Sequence, residues 1–118
     1  MQLSMLSRDD GACTATATRR SVFDFLRSEL RELMPEATWV AAGTGRFRWE
    51  VNQWCLEAGG HCRTGLEDNV KFDPTRLAAS NAELVRKIAD ACKDYGRHVA
   101  SPAEVRRLLG LPPAAANH

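Results

Sequence analysis

No stretch of the sequence stays apolar for the ~18 residues that a membrane-spanning helix needs. Residues 1–10 lack the apolar core of a secretory signal. Neither sign of charge is in real excess: 16 Lys and Arg stand against 15 Asp and Glu, a formal net charge of +1. That balance gives no electrostatic reason to expect nucleic acid or an anionic membrane as a partner. Cysteine is sparse. The four residues, at 13, 55, 62 and 92, form no C-x-x-C pair and no dense disulfide framework. Reduced thiols in a cytoplasm are the expectation.

What is present suits one domain: 44% hydrophobic and 26% charged residues over 118 positions. Val22, Leu26, Leu30 and Leu33 recur at helical spacing and predict a helix over 19–34, ended by Pro35. Thr38-Trp39-Val40-Ala41-Ala42 reads as a short buried strand. A turn at Gly43-Thr44-Gly45-Arg46 leads into a helix over 47–58, with Phe47, Val51, Trp54, Cys55 and Ala58 on one stripe. Gly59-Gly60 ends it and a second strand follows. A loop over 70–76, with Asp73-Pro74 as its turn signal, precedes a helix over 81–95 opened by a capping box, Ser80 to Glu83. Ser101-Pro102-Ala103-Glu104 opens a last short helix. The expected organisation is a poorly structured segment over 1–18, one α/β unit over 19–111 and a frayed tail over 112–118, with no role for His118. Helix–strand alternation predicts a parallel sheet. Two parallel strands leave both outer edges unpaired, so a complementary chain or a homo-oligomer is expected.

The most informative stretch is Gly59-Gly60-His61-Cys62-Arg63-Thr64-Gly65-Leu66-Glu67-Asp68-Asn69. Along a strand, His61, Arg63, Gly65 and Glu67 share one face and Cys62, Thr64 and Leu66 the other. The second face suits helices. The first carries an arginine and a glutamate with a glycine between them that leaves room. It is either a self-satisfied ion pair or an active site at the carboxyl end of a barrel strand. Gly43, Gly45 and Arg46 form a glycine-rich strand-to-helix turn of the kind that can present amides to a phosphate, whereas an arginine at a helix start is equally at home in solvent. A Cys55/His61/Cys62 metal site is disfavoured because His61 and Cys62 point to opposite faces.

The Gly-Gly-His-x-Arg-x-Gly-Leu-Glu-Asp-Asn run resembles the signature near the last barrel strand of the β-keto acid cleavage enzymes. Leu77-Ala78-Ala79-Ser80-Asn81-Ala82-Glu83-Leu84-Val85 and the run from Val99 through Ser101-Pro102-Ala103-Glu104 to Leu111 also resemble that family, in order, across residues 12–111. The resemblance implies the C-terminal fragment of a (β/α)8 TIM barrel: its last two βα units plus terminal helices. It implies zinc-dependent condensation of a β-keto acid with acetyl-CoA, giving acetoacetate and an acyl-CoA. It further implies Arg63 and Asp68 as catalytic residues, oriented by Asn69, with Glu67 as a zinc ligand. Gly43, Gly45 and Arg46 would lie toward coenzyme A, with Arg46 on one of its phosphates or on a substrate carboxylate. The family's His-x-His pair is missing, since the three histidines stand at 61, 98 and 118. The isolated chain is therefore expected to be inactive. The competing expectation is a non-catalytic remnant, or an interaction module that packs as a half-barrel on a partner.

Overall fold

Apolar spacing and glycine placement build the centre of the molecule around one strand–helix–strand unit. A computed structural model describes residues 2–6, 13–15 and 18–115. In it, β3 (Thr38–Ala42) leads into α2 (Arg48–Ala58), which returns the chain to β4 (His61–Cys62) parallel to β3. Val40 lies opposite His61, and Ala41 opposite Cys62. The helix ends because Gly59 takes a left-handed conformation, φ +82°, and its amide bonds to the Cys55 carbonyl. Gly60 has a different reason for lacking a side chain: a Cβ there would collide with the Trp39 ring. α1 (Arg20–Leu33) covers the same side of the sheet. Phe23, Ala41, Val51 and Cys55 form the buried cluster, with Val22, Leu26, Leu30, Trp39, Trp54 and Cys62 packed around it. Phe23 meets Trp39 edge-on at 5.8 Å and Trp54 at 5.6 Å between ring centroids. Leu33, placed on the inner stripe by its spacing, is 74% exposed, and Phe23 fills the core instead. Arg20 links the two helices, 3.1 Å from Asp24 and 2.8 Å from Glu57.

The N-terminal region departs from expectation. β1 (Gln2–Leu6) pairs antiparallel with all five residues of β3, and β2 (Cys13–Ala15) pairs antiparallel with β1. The sheet order is β2-β1-β3-β4, so one edge of β3 is filled rather than bare. The alternation in Gln2-Leu3-Ser4-Met5 and Cys13-Thr14-Ala15 is too short to announce a strand, and the choice of partner runs through backbone groups that every residue carries. Residues 1, 7–12, 16–17 and 116–118 lie outside the described residues, and with them much of the expected 1–18 segment and His118. The described residues are α/β, as the alternation predicts, in an open mixed sheet.

Beyond β4 the expected loop is a small hairpin, β5 (Lys71–Asp73) with β6 (Arg76–Leu77), turned at Asp73-Pro74. α3 (Asn81–Ala91) continues as a 3-10 turn to Tyr95 and stops at Gly96. Its capping box is half formed. Ser80 Oγ accepts the Glu83 amide, while the Glu83 carboxylate takes the Ala79 amide and Arg76. Leu84 and Cys92 are buried, but Val85 faces solvent. Arg97 then reaches back, donating to the carbonyls of Gly60 (2.6 Å), Cys55 and Leu56, and so caps the C-terminal end of α2. α4 (Pro102–Leu108) has the full capping box of Ser101 and Glu104, and His98 leans on Glu104 at 3.1 Å.

Candidate active site

β4 is shorter than its sequence suggests. After Cys62 the Arg63 amide still reaches the Ala41 carbonyl at 3.2 Å, and then the chain turns. The amides of Asp68 and Asn69 both bond to the Gly65 carbonyl, at 3.2 and 3.5 Å. Strand alternation therefore does not extend to Glu67. The turn folds Glu67 back instead, and its carboxylate occupies the space that a Cβ on Gly65 would fill. Arg63 Nη2 stands 3.6 Å from Glu67 Oε1 and 3.5 Å from Asp68 Oδ1. These are ion pairs too long for firm hydrogen bonds.

The three groups differ in access. The Arg63 and Glu67 side chains are 43% and 59% exposed, whereas Asp68 is only 5% exposed. Burial pushes the Asp68 carboxyl above its ordinary value. Glu67 adds to that rise, while Arg63 and Arg48 pull the other way. Asp68 Oδ2 is buried without a hydrogen-bond partner. A half-exposed guanidinium beside a sheltered carboxyl that holds its proton more tightly than usual can grip an anion and move a proton.

The turn is braced from the β3–α2 side. The Gly45 amide donates to the Asp68 carbonyl at 2.7 Å. Asn69 Nδ2 donates to the Gly45 carbonyl at 2.7 Å, and Asn69 Oδ1 accepts the Lys71 amide. Arg48 is 3% exposed and donates to the carbonyls of Asn69 and Lys71. Asn81 Oδ1 accepts the Leu66 amide at 2.8 Å. Arg48 carries no motif in the sequence that marks it as part of the site. The signal was its position: Arg48, Val51, Asn52 and Cys55 sit at i, i+3, i+4 and i+7, the spacing of a buried stripe.

The glycine-rich turn serves this brace. Gly45, at φ +58°, spends its amide on Asp68, so that amide is not open to a phosphate. Gly43 is buried, and a Cβ there would strike the backbone of Phe47 and Arg48, so it permits α2 to start close to β3. Arg46 is exposed, with its guanidinium 4.7 Å from the Phe47 ring centre.

His61 lies on the open face with Arg63, its pKa lowered by burial and then by Arg97. Cys55 and Cys62 lie on the opposite, helix-facing side in hydrogen-bond contact. That contact, and then burial, keeps Cys55 a thiol. Each thiol also meets a backbone carbonyl: Cys55 that of Ala41 at 3.8 Å, Cys62 that of Asn52 at 3.4 Å. Among the described residues no three His, Cys, Asp or Glu side chains gather as a metal would require. Glu67 offers an accessible carboxylate, but one donor does not make a zinc site.

A family model described as beta-keto acid cleavage enzyme matches residues 10–111. The chain belongs to the β-keto acid cleavage enzyme family. It is 52% identical over 102 residues to a 3-oxoadipate:acetyl-CoA acetyltransferase of Cupriavidus necator, a match covering 86% of this chain and 36% of that protein. It is 42% identical over 83 residues to a 3-keto-5-aminohexanoate cleavage enzyme of Fusobacterium nucleatum, covering 70% of this chain and 30% of that one. A 3,5-dioxohexanoate:acetyl-CoA acetone transferase of Paraburkholderia graminis is 36% identical over 77 residues, covering 65% of this chain and 25% of that protein. The chain thus spans about a third or less of the curated relatives that it matches.

Proposed function

We propose that this chain forms the carboxyl-terminal part of a (β/α)8 barrel that exchanges the acyl group of a β-keto acid with acetyl-CoA. In the overall reaction, R–CO–CH2–COO⁻ and CH3–CO–SCoA give CH3–CO–CH2–COO⁻ and R–CO–SCoA. The observation that carries the reading is the charged group on the turn after β4: half-exposed Arg63 against buried Asp68, whose Oδ2 has no hydrogen-bond partner among the described residues. The Arg63 side chain is 43% exposed and stands 3.6 and 3.5 Å from Glu67 and Asp68, so its guanidinium is accessible to a substrate carboxylate. Asp68 is the group placed to move the proton when addition at the keto carbon begins. Asn69 and Arg48 hold the turn that sets the distance between them.

Glu67 is the one carboxylate that this chain would add to a zinc ion, whose further donors must come from outside the described residues. β3 and β4 correspond in this reading to the last two barrel strands, and β1 lies on the edge of β3 where a preceding strand would pair. A second reading, a half-barrel that packs on a partner without catalysis, is favoured by exposed apolar side chains such as Leu33, Leu77 and Val99.

A chimera separates the two. Residues 18–111 are placed into the Cupriavidus necator acetyltransferase in place of the matching stretch, and acyl-CoA formation is assayed with 3-oxoadipate and acetyl-CoA. The chimera should turn over, Asp68→Asn should lower kcat by about 10²–10⁴-fold, and Glu67→Gln should abolish metal-dependent turnover. A folded but inactive chimera, or one indifferent to both substitutions, would overturn the catalytic reading in favour of the packing module.

A further inference from the structure

Beside the turn that carries Asp68 opens a cleft of about 590 Å³ lined by Arg46, Arg48, Lys71, Lys87, Trp49 and Phe72. We infer that this cleft takes the phosphorylated adenosine end of coenzyme A, with Lys71 and Lys87 on its phosphate oxygens and Trp49 against the purine. The assignment rests on the acetyl-CoA reading above and extends it to residues away from the acyl chemistry.

The charge in the cleft is lopsided. Four cations line it against two carboxylates, Glu50 and Asp73. Asp73 is already committed: its Oδ1 accepts from the Thr75 amide (2.8 Å), the Thr75 hydroxyl (2.6 Å) and the Arg76 amide (3.1 Å). Arg48 is buried, and both of its terminal nitrogens lie on backbone carbonyls, so its charge is fixed in the wall. The Lys71 side chain is exposed and has no hydrogen-bond or ion-pair partner among the described residues. Lys87 donates to the Phe72 carbonyl at 2.9 Å and lies 4.3 Å from the Trp49 ring centre and 4.5 Å from that of Phe72. Burial, and then the nearby Arg48 charge, lowers the Lys87 pKa. A polyanion entering the cleft would relieve that repulsion.

The aromatic walls narrow the ligand class. Cations alone would suit any small anion, but Trp49 adds flat apolar surface beside them, the pairing used to hold a nucleotide base next to its phosphates, while the Phe72 ring is taken up by Arg76 at 3.9 Å and Lys87 at 4.5 Å. A β-keto acid has no ring to place there. The volume falls within the roughly 300–1,000 Å³ range of small-molecule sites. Position agrees with chemistry. Arg48 donates to Asn69 and to Lys71, so one side chain fixes both the catalytic turn and the first strand of the β5–β6 hairpin at the cleft. The cleft shares Asn69 with the turn that carries Asp68. The glycine-rich turn expected to receive the phosphates contributes Arg46 to the cleft, while its Gly45 amide is engaged elsewhere.

The test titrates the 118-residue chain with adenosine 3′,5′-bisphosphate, followed calorimetrically at low and high salt. Saturable binding that weakens with salt is expected, with Lys71→Glu and Trp49→Ala each weakening it about tenfold or more. Inorganic phosphate and adenosine, offered separately, should each bind far more weakly. No binding by a chain with a folded circular-dichroism spectrum, equal binding by Lys71→Glu, or phosphate matching the bisphosphate would each overturn the assignment. In the chimera, Lys71→Glu should raise KM for acetyl-CoA much more than it lowers kcat. An active chimera whose KM ignores Lys71→Glu removes this site and leaves the catalytic reading standing. An inactive chimera, in a chain that still binds the bisphosphate through Lys71, removes the catalytic reading and leaves the nucleotide site standing.

Discussion

On one face of β4, Cys62 packs beneath α2 beside Cys55, and both thiols have backbone carbonyls as partners. On the other face, and on the turn beyond it, Arg63, Glu67 and Asp68 sit in long ion pairs, and one buried carboxylate oxygen has no hydrogen-bond partner among the described residues. The strand is the same and the environments are opposite. The helix side is closed mainly by apolar contacts that stabilise the fold, although Asn52 Oδ1 is also buried there without a hydrogen-bond partner among the described residues. The other side holds polar groups whose satisfaction is incomplete among the described residues, which is the usual condition of a site before its ligand arrives. A cysteine one residue away from a candidate catalytic arginine is therefore a packing residue, and adjacency in sequence says nothing of shared chemistry.

Breaking the closed side should have the largest effect. Phe23 is 1% exposed and touches both Trp39 and Trp54. Phe23→Ala should cost about 3–5 kcal/mol, enough to unfold much of a marginally stable chain. Urea unfolding monitored by tryptophan fluorescence measures it. A loss under about 1 kcal/mol would mean that the cluster does not hold the two helices to the sheet.

Between the two sides stands Arg48, which starts on the buried stripe of α2 and ends on the carbonyls of the turn region. Arg48→Met keeps much of the apolar volume and removes both charged donors. It should cost about 1.5–3 kcal/mol, less than Phe23→Ala. Faster amide exchange should be confined to the turn and the β5–β6 hairpin, not the core cluster. Uniform loosening would show that Arg48 is simply another core residue.

The same contrast explains what could be read from the sequence. α1, β3, α2, α3 and α4 were legible, because apolar spacing, Gly59 and the serine caps are local signals. The opposed faces of His61 and Cys62 were legible from alternation alone. Leu33 was misplaced, because a helical stripe has edges and spacing does not say where the covering element stops. The β1 and β2 segments alternate over only three or four residues, too few to announce their pairing. The position of Glu67 followed from a turn closed by the Gly65 carbonyl rather than from strand period. Arg97 reaches α2 from 37 to 42 residues away, a contact that no local rule could reveal. At the site, the residue types Arg63, Glu67 and Asp68 were legible, but the buried arginine behind them and the lysines at the neighbouring cleft were not. Their importance depends on which backbone carbonyls and rings the fold brings to them.

The smallest effect should come from the open side, and it has a pH signature. Burial raises the folded-state pKa of Asp68 above its ordinary value of 3.8. The folded protein therefore holds this proton more tightly than the unfolded chain does. Its contribution favours the fold fully below pH 3.8 and is lost as pH rises through the folded pKa, above which it stays level. Asp68→Asn cannot ionise, so it should remove that downward step and give a variant relatively more stable above the window than below it. Thermal unfolding across the acid range, wild type against variant, measures the difference. A Tm difference between the two that is constant with pH would show that Asp68 ionises in the fold as it does in water. The contrast between the closed and open faces would then lose its electrostatic half. A difference that opens with rising pH would mean that the site spends stability to keep a sheltered carboxyl beside an accessible arginine, as a proton-moving group requires.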